Sequence, residues 1–178
     1  MWKKTILIIN IIIFYSIGCI LIYQKYNHEI THNIITEFKE KISTPPTKEI
    51  PIGKLIIKKI NINENLYSID SPKNNIEQHV TILSPSKEPA IKNSTIFIAA
   101  HSGTGKIAYF KNLDKLTKND QITLIYKNIT YTYIVKNIWE DKKIGSITVP
   151  KENTNQLILT TCSPAKENYQ LIINCIAK

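Results

Sequence analysis

After Pro51 the chain breaks into short apolar runs separated by polar turns, and this rhythm constrains the fold more than any other feature. The runs are LIIKKI at 55–60, NLYSI at 65–69, STIFIAA at 94–100, QITLIY at 121–126, ITYTYIVKNIW at 129–139, QLILTT at 156–161 and YQLIINCIA at 169–177. They are rich in β-branched and aromatic side chains, which fit a pleated, half-buried surface. Seven such strands, cut by turn residues, predict a barrel or a sandwich. Helix is expected only in short pieces near Asn75–His79 and Ala108–Leu116. Lys127 and Asn128 are left alone between two runs, which predicts a two-residue hairpin turn without the usual glycine.

The first 50 residues do not share this rhythm. From Thr5 to Gln24 no side chain is charged, and TILIINIIIFYSIGCILIY comes close to the roughly 20 apolar residues that cross a bilayer. Lys3 and Lys4 precede the run, and Trp2 and Tyr23 stand at its ends. This predicts a transmembrane anchor with a cytoplasmic N-terminus and the remaining chain outside. A cleaved secretory signal is a competing reading, but its apolar region is shorter and ends in a small-residue site that does not follow Tyr23. A lipidated Cys19 is another, although the apolar run continues past it. Ile30, Ile34, Ile35, Phe38 and Ile42 share one helical face, and Ser43-Thr44-Pro45-Pro46-Thr47 then reads as a stiff linker. The expected organisation is an anchor at 1–25, a juxtamembrane helix and Pro-containing linker at 26–50, and a β domain at 51–178.

The chain of 178 residues has a formal charge of +9, and all 23 basic residues are lysine. The lysines are spread without a basic run or interleaved aromatics, which argues for a solvated surface and against nucleic-acid binding. In a tethered protein the same charge favours anionic lipids or wall polymers. Cys19, Cys162 and Cys175 are too few and too scattered for a disulfide framework or a zinc site. The sparse acidic residues do not point to calcium. No metal or cofactor is expected.

Two residues stand out as candidates for chemistry. Leu157-Ile158-Leu159-Thr160-Thr161 ends in Cys162, followed by the loop pair Ser163-Pro164. A thiol at a strand end is held rigidly yet reachable, and it needs a nearby base or cation to be useful at neutral pH. His101 ends the run Ile96-Phe97-Ile98-Ala99-Ala100 and enters Ser102-Gly103-Thr104-Gly105. Both residues are expected at barrel rims. A strand-end cysteine is commonly a small buried hydrophobe, and spacing alone does not join the two. Cys175, inside the last run, reads as packing, and His79 as structural or exposed.

The segment from Ile98 to Glu140, followed by LILTTCSP, resembles the sortase family, membrane-anchored cysteine transpeptidases of Gram-positive-type bacteria. The family motif Thr-Leu-x-Thr-Cys is matched by Ile158-Leu159-Thr160-Thr161-Cys162, with its first Thr replaced. Ala100-His101 is followed by Phe110, Leu113 and Leu116, and Gly53-Lys54-Leu55-Ile56-Ile57 is similar to the family's first strand. The likeness covers about residues 52–177. It implies a mainly β fold, a closed barrel of seven to eight strands with short helices behind the transmembrane helix.

The resemblance implies that Cys162 attacks after the Thr of an LPxTG-like motif near the C-terminus of a secreted protein and forms a thioacyl enzyme. An amine from a cell-wall precursor or a pilin lysine then resolves it. His101 is implied as acid and base, and Thr161 as a contact for the substrate backbone. The family's last-strand Arg, which binds substrate and steadies the oxyanion, falls on Gln170, with Lys166 and Tyr169 as neighbouring substitutes. The stretch from Glu140 to Asn153 corresponds to the loop that often sets specificity. Two other readings remain: a thiol hydrolase in which water resolves the intermediate, and a membrane-tethered binding domain that has lost catalysis.

Overall fold

The computed structural model describes residues 2, 15–31 and 49–178, which belong to two units, Met1–Lys48 and Glu49–Lys178. In the first unit residues 15–31 are helical. Among the described residues no helix is long and apolar enough to cross a membrane. Residues 5–14 of the expected anchor, the juxtamembrane stripe beyond Thr31 and the Pro45-Pro46 linker lie outside the described residues.

The second unit contains β1 (Gly53–Ile57), β2 (Ile62–Leu66), β3 (Thr81–Leu83), β4 (Thr95–Ala99), β5 (Gln121–Tyr126), β6 (Ile129–Lys142), β7 (Gln156–Cys162) and β8 (Tyr169–Ala177). They form one sheet in the order β2-β1-β5-β6-β8-β7-β4-β3. Neighbours are antiparallel except β4 and β7, which run in parallel. The sheet curls into a barrel that is nearly closed, where full closure was expected, because its ladder ends at β2 and β3. The β3 edge is covered instead by a side chain. The Asn74 amide donates to the Ile82 carbonyl at 2.9 Å and accepts from the Ile82 N–H at 2.8 Å, as a neighbouring strand would.

Alternation sets the register. Leu55 and Ile57, Ile96 and Ile98, Ile122 and Leu124, Leu157 and Leu159, and Leu171 and Ile173 meet in one core. Burying each such side chain contributes about 1.5–3 kcal/mol, and a one-residue slip would turn the whole set of a strand outward. Gly53 is required by close approach, since a Cβ there would stand 2.0 Å from the Ile125 carbonyl oxygen. The hairpin between β5 and β6 pairs Tyr126 with Ile129, and Lys127 and Asn128 take φ of 47° and 65°. That is the left-handed pair a two-residue turn needs, here without glycine.

The differences from expectation are local. Residues Lys58–Ile60 leave the strand as a 3-10 turn, and Asn61, left-handed at φ 57°, sends the chain back so that Ile57 faces Ile62. β2 therefore begins three residues before the run at 65–69. β3 is too short to show alternation. Near Asn75–His79 the chain makes a single turn closed on the Asn75 carbonyl, and within 108–116 it forms a 3-10 turn at Leu113–Lys115.

Candidate active site

Parallel pairing of β4 and β7 brings the two singled-out residues together. The ladder runs from Thr95 opposite Gln156 to Ala99 opposite Thr160. Past its end the Ala100 N–H donates to the Thr160 carbonyl (3.4 Å), the Thr161 hydroxyl to the Ala100 carbonyl (2.7 Å) and the Ser102 hydroxyl to the Cys162 carbonyl (3.0 Å). Two strands that run the same way thus stop together, with His101 across from Cys162. Leu157 and Leu159 are in the core, so alternation turns Cys162 to the outer face of the sheet. The pair therefore opens on the barrel's flank as well as at its rim.

A cavity of about 540 Å³ lies there, with Cys162, His101, Gln170 and Lys143 in its wall. Phe97 and Ala99 of β4 and Leu83 of β3 line it, and Ile76, Pro85 and Ile147 from the surrounding loops add to its apolar side. Cys162 is exposed, and its sulfur is 3.5 Å from the Lys143 ammonium. His101 is partly exposed, and its Nε2 is 3.1 Å from the Glu77 carboxylate. A carboxylate only accepts, so Nε2 carries the proton toward Glu77, and Nδ1 is the nitrogen with a lone pair when the ring is neutral.

Each partner is fixed by its own loop. The Phe110 N–H donates to the His101 carbonyl at 3.0 Å, and Phe110 is buried in the core. Glu77 sits on a turn made by Asn75, whose side chain accepts from the Glu77 N–H at 2.9 Å. The Tyr109 hydroxyl donates to the Gln78 carbonyl at 3.0 Å and ties that turn to the segment after His101. Behind Cys162, the Ser163 hydroxyl bonds to Glu140 and accepts from the N–H groups of Ala165 and Lys166. The Ser163 hydrogen bond, reinforced by Lys166, holds the Glu140 carboxyl below its usual range despite an opposing effect of burial.

A family model described as Sortase domain matches residues 55–177, most of the chain. The chain belongs to the sortase family. Sortase D of Bacillus subtilis (strain 168) is 31% identical over 135 residues. That match spans 75% of this chain and 65% of the relative, just under two thirds of its length. Among solved structures, Sortase A from Corynebacterium diphtheriae has a TM-score of 0.63 at 23% identity, covering 75% of this chain and 63% of that one. Sortase C1 from Streptococcus agalactiae has a TM-score of 0.61 at 26% identity, covering 75% and 70%. Streptococcus pneumoniae Sortase C has 0.64 at 22%, covering 74% and 69%.

Within this sortase domain the remaining sequence expectations fall into place unequally. Gln170 is the cross-strand partner of Cys162, but its amide donates to the Ser146 carbonyl at 3.1 Å and so holds the loop after β6. Thr161 is buried and its hydroxyl is engaged by Ala100. Lys166 is drawn away by Glu140, 3.3 Å off, and by the Tyr169 ring. Cys175 is fully buried opposite Leu157, and burial pushes its thiol up, so it is packing. Cys162 and Cys175 are both free thiols. His79 lies against the Tyr67 ring. The loop after β6 contains no helix and places Lys143, Gly145, Ser146 and Ile147 in the cavity wall. Sequence reasoning missed Glu77 and Lys143. Their contacts to His101 and Cys162 span 24 and 19 residues, and neither sits in a motif.

Proposed function

We propose that this chain is a cysteine transpeptidase that cleaves an LPxTG-like sorting motif of secreted proteins and passes the acyl group to an amine of a cell-wall precursor or a pilin. The observation that carries this reading is the juxtaposition of Cys162 and His101 at the ends of β7 and β4, on one apolar-sided cavity. The Cys162 sulfur attacks the carbonyl carbon after the motif's Thr, and the C–N bond to the next residue breaks. His101 gives its proton to the departing amine through Nδ1, leaving a thioester. An incoming amine attacks the thioester, His101 takes its proton, and Cys162 leaves as thiolate. Glu77 orients the ring through Nε2.

The apolar run at 5–24 with Lys3 and Lys4 before it supports a single-pass anchor, cytoplasmic N-terminus and a catalytic domain on the outer face of the cell membrane. Incubation with an LPxTG-type peptide and an amine such as triglycine, followed by chromatography of the products, tests the reaction. Amine-ligated product that disappears in Cys162→Ala supports it. Hydrolysed peptide alone points to the thiol-hydrolase reading. Peptide that binds and stays intact points to the binding domain.

A further inference from the structure

We infer that Lys143 is a catalytic residue of this site, supplying the positive charge beside the attacking sulfur. The inference rests on the cysteine-nucleophile reading above and adds the group that makes the nucleophile effective. A thiol attacks as its anion, and a cation in contact favours that form over the neutral thiol. Of the side chains that line the cavity, His101 and Lys143 are the two basic ones, and none is a carboxylate. Lys143 Nζ stands 3.5 Å from Cys162 Sγ.

Lys143 is also unneutralised. Lys59, Lys127, Lys136 and Lys166 pair with Asp120, Glu88, Glu152 and Glu140, whereas Lys143 has no carboxylate partner among the described residues. Its backbone is placed by design of the loop: Lys143 N–H donates to the Asn168 carbonyl at 2.8 Å, one residue past the end of β6. Gln170, between β6 and Cys162 in the sheet, anchors the same loop through the Ser146 carbonyl. Gln170 is thus a positioning residue for Lys143, and the charge itself comes from the loop. A chain without arginine obtains it from lysine.

The test compares alkylation of Cys162 by anionic iodoacetate and neutral iodoacetamide in the full chain, read on the Cys162 peptide by mass spectrometry. A neighbouring cation raises the first rate over the second, an effect a structural role would not produce. Lys143→Met and Lys143→Gln are expected to lower the iodoacetate-to-iodoacetamide ratio at least about threefold, with Lys143→Arg restoring it and Lys166→Met leaving it unchanged. Gln170→Ala is expected to lower it partly. Sorting-peptide turnover should fall by about tenfold or more in Lys143→Met, since a lost charge-stabilising donor costs up to about 100- to 1,000-fold in a dry site and less in an open one. An unchanged ratio in both neutral variants would overturn the inference. A wild type that shows the charge effect but never turns over a sorting peptide would sink the transpeptidase reading and leave Lys143 standing.

Discussion

The Thr161 hydroxyl donates to the Ala100 carbonyl at 2.7 Å, one step beyond the last ladder pair of β4 and β7. The bond is buried, and it joins the residues that immediately precede Cys162 and His101. Thr161→Val keeps the shape and leaves the Ala100 carbonyl without that donor, a loss of about 1–3 kcal/mol. The urea midpoint should fall accordingly. Because misplacement by an ångström can cost about 100-fold in rate, transpeptidation should drop by more than the stability change alone explains. Equal activity per folded molecule would show that the strands hold the pair without this tie.

On the proposed mechanism Glu77 only orients the His101 ring, so its effect should be small. The Glu77–His101 pair is exposed, and such pairs are worth at most about 1 kcal/mol. Glu77→Ala should slow turnover by no more than about fivefold, whereas His101→Ala, which on the proposed mechanism takes away the acid and base, should cost about 100-fold or more. In 1 M NaCl the Glu77→Ala difference should shrink, since screening acts on exposed charges. A Glu77→Ala loss as deep as that of His101→Ala would make the carboxylate a participant in proton transfer.

The fold was legible where alternation was long. The runs at 121–126, 156–161 and 169–177 mark β5, β7 and β8 within a residue because their apolar side chains face one core. β3 carries only three residues, and the bend at Asn61 depends on a left-handed conformation that no periodicity announces. Cys162 and His101 stood out because each ends an apolar strand. Their meeting depends on β4 pairing in parallel with β7 across about 60 residues of intervening chain, a long-range choice of partner that local pattern does not encode. Lys143 and Glu77 come from loops, where a side chain's partner is set by how the loop lies on the sheet.

The two thiols of the barrel should differ sharply in reactivity. Cys162 is exposed beside a cation, while Cys175 is fully buried in the core with its thiol pushed up by burial. Peptide mapping after timed iodoacetamide treatment of the native chain should show Cys162 labelled at least about 100-fold faster, with Cys175 reacting only through unfolding. Comparable rates would place Cys175 in a more open environment than the barrel core.

Tyr133 is buried at 0% exposure, and its hydroxyl finds no hydrogen-bond partner among the described residues. Tyr133→Phe should therefore stabilise the domain, by about 1–2 kcal/mol, without altering turnover. Burial pushes the Tyr133 hydroxyl up to about 12. The unfolded chain releases this proton near pH 10 and the folded one only near 12, so wild-type stability from this group is full below pH 10 and is lost as pH rises through that window. The advantage of Tyr133→Phe should widen above pH 10, which denaturant unfolding at pH 8 and pH 10.5 would show. A destabilised Tyr133→Phe would mean that the hydroxyl is satisfied in solution.

On the proposed function, Cys162 becomes acylated by a sorting-type peptide. Rapid acid quench of the full chain with an LPxTG-type peptide and no added amine, read by intact mass and then by peptide mapping, measures this directly. The predicted result is a mass increase equal to the peptide's N-terminal fragment through its Thr, located on Cys162, absent in Cys162→Ala and strongly reduced in His101→Ala. No adduct across a varied peptide set, with Cys162 still alkylated readily, would contradict the claim and leave a barrel that binds its partner without cutting it.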